Sequence, residues 1–171
     1  MSEHRQPLGS SVILMGVSGC GKSTVGTQLA EATGAAFFDG DDFHPSANIT
    51  KMASGTPLTD DDRQGWLIAL RDLLDEHSDQ PIIIACSALK QSYRKLLETA
   101  KVLPSFVHLH GSRETLLARL EERSKEGEHF MPASLLDSQL ATLETPGDDT
   151  LTVSIENTPQ DIVTQIISTI S

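Results

Sequence analysis

Residues 11–23 read Ser-Val-Ile-Leu-Met-Gly-Val-Ser-Gly-Cys-Gly-Lys-Ser, and this stretch decides the fold. An apolar run, Val12 to Met15, leads directly into the spacing Gly-x-x-x-x-Gly-Lys-Ser, which is the phosphate-binding loop pattern. Residues 22–33 then have helical spacing, so the positive end of a helix dipole faces the loop. Glycines let the backbone turn its N–H groups inward around a polyphosphate. The stretch therefore predicts a strand, a nucleotide-binding loop and a helix.

The loop supplies the ligands expected for a nucleoside triphosphate and its magnesium ion. Lys22, as a catalytic residue, places a positive charge beside the outer phosphates, and the hydroxyl of Ser23 is a ligand for Mg²⁺. An accidental glycine-rich turn is the alternative, which the strand before the loop and the helix after it disfavour. We expect the nucleotide to contact the whole loop, that is Gly16, Val17, Ser18, Gly19, Cys20, Gly21, Lys22, Ser23 and Thr24.

Length and charge limit the remaining possibilities. The 171 residues suit one domain spanning 1–171, and 13 basic against 24 acidic residues give a formal net charge of −11. Such a charge argues against nucleic acid or an anionic membrane as partner. The apolar runs are too short to span a bilayer, the first ten residues lack a secretory signal, and the two cysteines are typical of reduced thiols. We therefore expect a cytoplasmic protein that binds neither nucleic acid nor membrane.

Short apolar runs alternate with helical patterns along the chain. Five runs predict strands, at residues 12–15, 36–39, 82–86, 106–110 and 151–155. The alternation indicates an α/β fold, a five-stranded parallel sheet with helices on both faces, in which ligands bind at the carboxyl ends of the strands. Residues 40–64 and 124–132 are polar and interrupted by Gly or Pro. They lack the pattern of a strand or a packing helix, and we expect a substrate flap and a lid there.

Two acidic residues follow the second predicted strand, at Asp39 and Asp41. Phosphoryl transfer needs one group that holds the water shell of the metal ion and another that orients the incoming hydroxyl. We assign Asp39 to the waters of Mg²⁺ and Asp41, as a catalytic residue, to the acceptor hydroxyl. The alternative is that both carboxylates only form turns or cap helices. The third predicted strand carries no terminal acid, which leaves this pair to supply the carboxylates.

Many further residues form a specific pattern, which comprises Asp39-Gly40-Asp41, His44-Pro45, Lys51-Met52, Asp60, Asp62-Arg63, Trp66-Leu67, residues 86–90, Tyr93-Arg94 and residues 129–132. This pattern, over about residues 11–169, resembles the bacterial-type gluconate kinases, which are related to shikimate kinases and nucleoside monophosphate kinases. The resemblance implies a three-layer P-loop kinase fold. It also implies ATP-dependent phosphorylation of D-gluconate at its 6-hydroxyl, with Mg²⁺, usually in a homodimer.

The acceptor side of this resemblance centres on Arg63. Its planar guanidinium suits bidentate binding of the substrate carboxylate, and similarity to the shikimate kinases points to the same residue. Lys90 and Arg94 are further candidates for the carboxylate or the phosphoryl group, although a solvated helix face paired with Glu98 is the alternative for Arg94. His44 either binds a substrate hydroxyl or orders the flap. The expected substrate ligands are Asp41, His44, Lys51, Arg63, Lys90, Arg94 and His129.

The nucleotide side continues on a later helix. Arg119 and Arg123 are four residues apart and share a helix face next to the predicted lid, although surface ion pairing is the alternative for both. By similarity to related kinases we assign Arg119 to the adenine ring and Arg123, as a catalytic cation, to the transferring phosphates. The long turn before His129 leaves Lys125 as an alternative to Arg123. Backbone contacts after the fifth strand, including Pro159, complete the expected ATP site.

Two other functions stay open at this point. A kinase of the same fold acting on another small acceptor, a shikimate-like acid or a nucleoside monophosphate, is disfavoured by the His44-Pro45 and Lys51-Met52 motifs. A non-catalytic nucleotide-binding module is disfavoured by the acidic pair, because a protein that only binds nucleotide needs no carboxylate to orient an acceptor. The residues therefore favour a small-molecule kinase of the gluconate type.

Overall fold

The computed structural model describes residues 7–56, 58–125 and 133–170. His129, an expected substrate ligand, and most of the predicted lid lie outside these residues. In chain order the described elements are β1 (Val12–Met15), α1 (Lys22–Thr33), β2 (Ala36–Asp39), a 3-10 turn (Gly40–Phe43), α2 (Ser46–Ala53), α3 (Asp60–Glu76), β3 (Ile82–Ala85), α4 (Gln91–Leu97), β4 (Ser105–His110), α5 (Arg113–Lys125), α6 (Ala133–Thr142), β5 (Leu151–Ser154) and α7 (Pro159–Ile170).

The five strands form one parallel sheet in the order β2-β3-β1-β4-β5. The central strand β1 pairs with β3 on one side and β4 on the other, so that Val12 lies opposite both Ile83 and Ser105. All residues of β1 and β3 are buried, as expected for strands covered on both faces. The predicted α/β fold with a five-stranded parallel sheet is confirmed.

Helices cover both faces of the sheet and produce three layers. Because side chains alternate along a strand, Val12 and Leu14 contact the layer that contains α1, α5 and α7, whereas Ile13 and Met15 contact the layer of α3 and α4. The central strand therefore contributes to both hydrophobic cores. Among the helices that the structure describes, none is long and apolar enough to cross a membrane.

The predicted strand limits agree with the structure to within one residue. The first two strands coincide with their predicted ranges, while β3 ends at Ala85 and β5 at Ser154, each one residue early. Strand β4 begins at Ser105, one residue before the predicted start. The predicted helix at 22–33 coincides with α1. These differences do not change which residues follow the carboxyl ends of the strands.

The segment predicted to lack packing helices, residues 40–64, is largely helical. It holds the 3-10 turn, helix α2 and the start of α3 at Asp60. A capping box fixes this start: Asp62 N–H donates to Thr59 Oγ1 at 3.1 Å, and Thr59 N–H donates to Asp62 Oδ2 at 2.9 Å. The expectation that this segment lacks helices is wrong, because the first turn of α3 is acidic and its apolar spacing begins only at Trp66. The assignment of residues 40–64 as a substrate flap stays a prediction.

Gly40 marks a close approach between the ends of β2 and β3. Its carbonyl oxygen accepts a hydrogen bond from Trp66 Nε1 at 2.7 Å. A Cβ atom added at Gly40 would lie 2.4 Å from the carbonyl oxygen of Ala85, so a side chain has no room there. Glycine at this position therefore allows the acidic residues after β2 to lie directly beside the end of β3.

We expect Gly40→Ala to lower the free energy of unfolding by about 1–3 kcal/mol, because the added methyl group must displace the backbone of β3. Gly65→Ala is the matched control. It lies within α3, and its nearest neighbour would be Pro45 Cγ at 3.7 Å, so alanine should raise stability by up to about 1 kcal/mol. Urea denaturation measures both changes. Wild-type stability in Gly40→Ala would contradict the tight approach.

His108 is a buried histidine in β4. From the sequence, His108 and His110 are two residues apart on one strand, and this spacing is compatible either with metal binding or with ordinary packing in the strand. Within residues 7–56, 58–125 and 133–170, no group of three or more His, Cys, Asp or Glu is placed to hold a metal ion. His108 is 5% exposed, and its ring centroid lies 5.5 Å from that of His110. Burial, followed by the charges of His110, Arg94 and Lys22, lowers the pKa of His108 from 6.5 to about 4.

This lowered pKa predicts a loss of stability on acidification. Between pH 6.5 and 4 the unfolded chain binds a proton at His108 that the folded chain does not, so stability falls as the pH decreases through this range. From pH 7 to 5 we expect this residue to account for about 1–2 kcal/mol of the loss in unfolding free energy. The His108→Gln variant should lack this component, whereas His110→Gln, at an exposed position, should retain it. Denaturation curves at pH 7 and pH 5 measure the unfolding free energy of the three proteins. Equal losses of unfolding free energy in wild type and both variants would contradict the assigned role of His108.

Candidate active site

The phosphate-binding loop joins β1 to α1 through residues in the left-handed backbone region. Gly16 has φ 147° and Gly21, the N-cap residue of α1, has φ 92°. A Cβ atom added at Gly16 would lie 2.8 Å from Cys20 Sγ and 2.9 Å from the carbonyl oxygen of Leu109. Gly16 therefore requires glycine for both conformation and space, and Gly21 for conformation. The loop therefore has the compact form that the sequence pattern predicts.

Lys22 lies across this loop. Its Nζ donates to the carbonyl oxygens of Gly16 at 2.8 Å and Val17 at 3.3 Å. Ser23 and Thr24 are exposed in the first turn of α1. The residues expected to contact the nucleotide thus form one continuous segment at the carboxyl edge of the sheet. Their individual roles toward ATP stay predictions.

Gln139 contacts the phosphate-binding loop from helix α6, and the sequence did not assign it a role. Its Oε1 accepts a hydrogen bond at 2.8 Å from the backbone N–H of Ser18. The contact joins residues 121 positions apart, on the loop and on α6. Nothing in local sequence spacing indicates that Gln139 reaches the phosphate-binding loop.

The acidic pair occupies the start of the 3-10 turn. Asp39 caps the turn, because its Oδ1 accepts from the backbone N–H of Asp41 at 3.0 Å. This is the capping role that the sequence left open, and the role of Asp39 toward Mg²⁺ stays a prediction. Desolvation, followed by the neighbouring Asp39 carboxylate, raises the pKa of Asp41, although 81% of its side-chain surface is still exposed. The ammonium of Lys22 acts on Asp41 in the opposite direction, which places the carboxylate within the field of the loop.

His44 is held in a defined orientation beside Asp41. Its ring stacks on Trp66 with centroids 4.4 Å apart and planes inclined by 14°. The Asn48 amide nitrogen donates to the Asp62 carbonyl at 2.9 Å and lies 3.2 Å from His44 Nδ1. Because an amide nitrogen only donates, Nδ1 accepts and Nε2 carries the proton, 4.0 Å from Asp41 Oδ1. Burial is the main cause that lowers the pKa of His44, which favours this neutral form.

Arg63 and Lys90 lie together around the ring of Tyr93. The guanidinium carbon of Arg63 is 5.8 Å and the Nζ of Lys90 5.7 Å from the ring centroid. Arg63 Nη1 also donates to the Tyr93 hydroxyl at 3.2 Å. The structure therefore brings together two of the cations that the sequence assigns to the substrate. Tyr93, which sequence reasoning left without a role, forms the surface between them.

Asp60 completes this cluster and was also left without a role. Both of its carboxylate oxygens accept from Lys90 Nζ, at 3.0 and 3.1 Å, and one accepts from the Tyr93 hydroxyl at 2.5 Å. The nearest distance to Arg63 Nη1 is 3.8 Å. These contacts lower the pKa of Asp60, with the hydrogen bond from Tyr93 as the largest cause. Asp60 and Arg63 are three residues apart on one helix, and this spacing is the sequence signal that could have indicated the pair.

Lys51 is paired with the start of α3. Its Nζ donates to Asp62 Oδ2 at 2.7 Å. This hydrogen bond, followed by that from the backbone of Thr59, lowers the pKa of Asp62 to about 2. The structure thus shows Lys51 joining α2 to the capping box of α3. Its expected contact with the substrate stays a prediction.

Arg94 has structural contacts inside the protein. It is 6% exposed, and its Nη2 donates to the carbonyl oxygens of Glu144 at 2.7 Å and Leu89 at 3.4 Å. The alternative of a solvated helix face is therefore wrong. The observed contacts also do not support the substrate role, because the guanidinium is directed at backbone carbonyls. We leave Arg94 out of the proposed acceptor site.

Arg119 lies between the phosphate-binding loop and the end of β5. Its Nη2 donates to the carbonyl oxygen of Ile155 at 2.7 Å, and its Nη1 would be 3.4 Å from a Cβ atom added at Gly21. Arg123 and Lys125 are exposed in the last turn of α5. Pro159 is the first residue of α7. This placement agrees with a nucleotide that extends from the loop toward β5, and the residue roles stay predictions.

The comparisons with known proteins agree with this geometry. The family model for shikimate kinase matches residues 18–171. The chain is 47% identical to a gluconokinase from Gluconobacter oxydans, over 98% of this chain and 96% of that protein. This chain belongs to the gluconokinase family. It is also 42% identical to the thermoresistant gluconokinase of Escherichia coli, over 92% of this chain and 90% of that protein.

Solved structures support membership of the gluconokinase family. The crystal structure of a gluconokinase from Sinorhizobium meliloti matches with a TM-score of 0.84 and 44% identity, over 95% of this chain and 91% of that chain. A shikimate kinase from Acinetobacter baumannii matches with a TM-score of 0.56 and 20% identity, over 99% and 96% of the two chains. The second similarity concerns the fold alone. The predicted resemblance and the P-loop kinase fold are thus confirmed.

Proposed function

We propose that this chain transfers the terminal phosphoryl group of ATP to the 6-hydroxyl of D-gluconate, giving 6-phospho-D-gluconate and ADP. The observation that carries this proposal is the position of Asp41. Its carboxylate lies in the field of Lys22 from the phosphate-binding loop and beside His44, whose own pKa is affected by Arg63. Asp41 is therefore affected by the charge of the phosphate-binding loop, and its neighbour His44, whose Nε2 lies 4.0 Å from Asp41 Oδ1, is affected by the charge of Arg63.

The donor side stabilises the charge of the transferring group. Backbone N–H groups of the loop and the start of α1 hold the phosphates, and Lys22 neutralises charge as the bond to the leaving oxygen lengthens. Arg123, or Lys125 in its place, is the cation that closes on the phosphates. Arg119 contacts the adenine ring, and the backbone near Pro159 completes its surroundings. The loose transition state of phosphoryl transfer makes such positioning the main catalytic contribution.

The acceptor side orients and activates the hydroxyl. Asp41 accepts the hydrogen bond of the 6-hydroxyl and receives its proton as the new bond to phosphorus forms. A raised pKa makes the Asp41 carboxylate a stronger base for this step. The neutral His44 keeps its Nε2 proton directed toward Asp41, and so it fixes the carboxylate or donates to a neighbouring substrate oxygen. Exclusion of water favours transfer to the sugar acid over hydrolysis.

The substrate carboxylate binds at Arg63 and Lys90. A sugar acid needs at least one cation for its carboxylate, and the planar guanidinium of Arg63 presents two parallel donors. These local cations also offset the formal net charge of −11, which would otherwise repel both substrates. Lys51 and His129 are proposed to contact hydroxyl groups of the acceptor.

The residues at the loop also fit a magnesium ion. The exposed Ser23 hydroxyl at the start of α1 and the Asp39 carboxylate are oxygen ligands, which Mg²⁺ prefers, and the ion usually keeps several waters. Ser23 would bind it directly and Asp39 through water. When bound, Mg²⁺ would neutralise charge on the outer phosphates.

We further propose that the chain acts as a single domain, as a homodimer, in the cytoplasm. The use of ATP and two unpaired cysteines support the location, and the family resemblance supports the dimer. A lid at residues 124–132 remains part of the proposal, carried by the end of α5 and the polar sequence that follows it.

Release of ADP with ATP and Mg²⁺ tests the function directly. The acceptors to compare are gluconate, shikimate, AMP and none. Turnover that depends on gluconate supports the proposal. Turnover with shikimate or AMP alone would show a kinase for another acceptor, and no turnover with any of them would favour a nucleotide-binding module.

We expect Asp41→Asn to reduce kcat by about 10²–10⁴-fold, because the amide cannot accept the proton of the acceptor hydroxyl. The dissociation constant for ATP should change far less. Asp42→Asn, at the next exposed position of the same turn, is the matched control and should keep near-wild-type kcat. Steady-state kinetics and nucleotide binding by calorimetry separate the two quantities. Equal losses in catalysis and ATP affinity would exclude the assigned role of Asp41.

We expect Arg63→Lys to raise the KM for gluconate about tenfold or more, because the ammonium cannot reproduce a bidentate charged contact worth about 1.5–3 kcal/mol. Arg71→Lys is the control on the same helix. Arg71 contacts Thr99 at 3.2 Å instead of the cluster around Tyr93. Initial rates over a range of gluconate concentrations give the comparison. An unchanged KM in Arg63→Lys would remove this residue from the carboxylate site.

A further inference from the structure

The carboxylate of Asp60 occupies the position where the donors of the cationic cluster converge. It accepts from Lys90 Nζ with both oxygens, at 3.0 and 3.1 Å, and from the Tyr93 hydroxyl at 2.5 Å. Arg63 Nη1 lies 3.8 Å away. The two cations proposed to bind the substrate carboxylate are therefore already neutralised by a carboxylate of the chain itself.

We propose that Asp60 is an internal competitor that occupies the carboxylate subsite of the acceptor and is displaced when the acceptor binds. This inference rests on the proposed function, since it assigns the same subsite to the carboxylate of gluconate. Two carboxylates cannot share these donors without like-charge repulsion. Binding of the acceptor therefore exchanges one carboxylate for another at Lys90 and Arg63.

The local structure allows Asp60 to leave. Its side chain is 61% exposed, so water can hydrate the carboxylate once it turns away. The start of α3 does not depend on it, because the capping box is formed by Thr59 and Asp62. Asp62 is additionally bound by Lys51 at 2.7 Å. Of these two aspartates in one helical turn, Asp62 secures the helix and Asp60 is available for exchange.

This exchange gives Asp60 a role in setting the affinity of the carboxylate subsite. An anion that offers only its charge gains little, because it replaces an existing ion pair of similar strength. An acceptor that also brings hydroxyl groups gains their hydrogen bonds, for example with residues beside Asp41 and His44. Displacement of Asp60 therefore lowers the affinity for every carboxylate by the same factor, so that a simple anion binds very weakly, whereas a polyhydroxy acid still binds through its hydroxyl groups.

The test compares wild type, Asp60→Asn and the control Asp61→Asn, an exposed aspartate in the same helical turn. At low ionic strength we expect Asp60→Asn to lower the gluconate KM and dissociation constant about two- to fivefold. Acetate should inhibit Asp60→Asn more strongly than wild type, in competition with gluconate. Asp61→Asn should match wild type in both measurements.

An unchanged or raised dissociation constant for gluconate in Asp60→Asn would overturn the inference, because Asp60 would then be structural or a substrate ligand. Gluconate turnover by wild type separates this result from failure of the proposed function. If wild type neither binds nor phosphorylates gluconate, both proposals are overturned together.

Titration of Tyr93, the one tyrosine of the chain, supplies a readout that needs no substrate. Burial, followed by the hydrogen bond to Asp60, raises the pKa of Tyr93. Asp60→Asn should therefore lower the pKa seen in the ultraviolet absorbance of tyrosinate, and Asp61→Asn should not. An identical titration in all three proteins would show that Asp60 does not occupy the cluster in solution, which would also overturn the inference.

Discussion

The pairing of β1 with β3 and β4 is the constraint on which the site depends. Because β1 is the central strand of a parallel sheet, its carboxyl end opens directly beside the ends of its neighbours. The Gly16 N–H donates to the Ser87 carbonyl at 3.3 Å, which joins the phosphate-binding loop to the segment after β3. Gly40 brings the segment after β2 against the same strand end. Donor and acceptor residues therefore meet without any long connection between them.

Charge at the site is balanced locally within a strongly acidic chain. Lys22 is bound to loop carbonyls, Lys51 to Asp62, and Lys90 to Asp60. These cations are thus held in place by oxygen atoms of the protein before any ligand arrives. Such pairing keeps the flexible ammonium groups close to the proposed ligand sites. It also weakens their attraction for an incoming anion, because part of their charge is already neutralised.

How much the sequence predicts depends on the range of the interaction. The strand, loop and helix at residues 12–33 were predicted correctly, because apolar runs and glycine spacing act over few residues. Helix α2 was missed because it has only eight residues and its buried residue is Asn48, while its large apolar residues Ile49 and Met52 are exposed. The contacts of Asp60 with Tyr93 and of Gln139 with Ser18 join residues 33 and 121 positions apart, so they follow from tertiary packing. The burial of Arg94 depends likewise on Glu144, which lies 50 positions along the chain.

Helix α6 and the turn after it touch both halves of the site. Gln139 holds the Ser18 N–H of the phosphate-binding loop, while the carboxylate of Glu144 accepts from the Gln91 N–H at 2.8 Å, next to Lys90. Gln139 lies on α6 and Glu144 two residues after its end, so one short segment contacts both the phosphate-binding loop and the start of α4. Thermodynamic reciprocity requires that, if the nucleotide changes the affinity for the acceptor by a given factor, the acceptor changes the affinity for the nucleotide by the same factor. The order in which the two substrates arrive would therefore leave the total binding free energy unaltered.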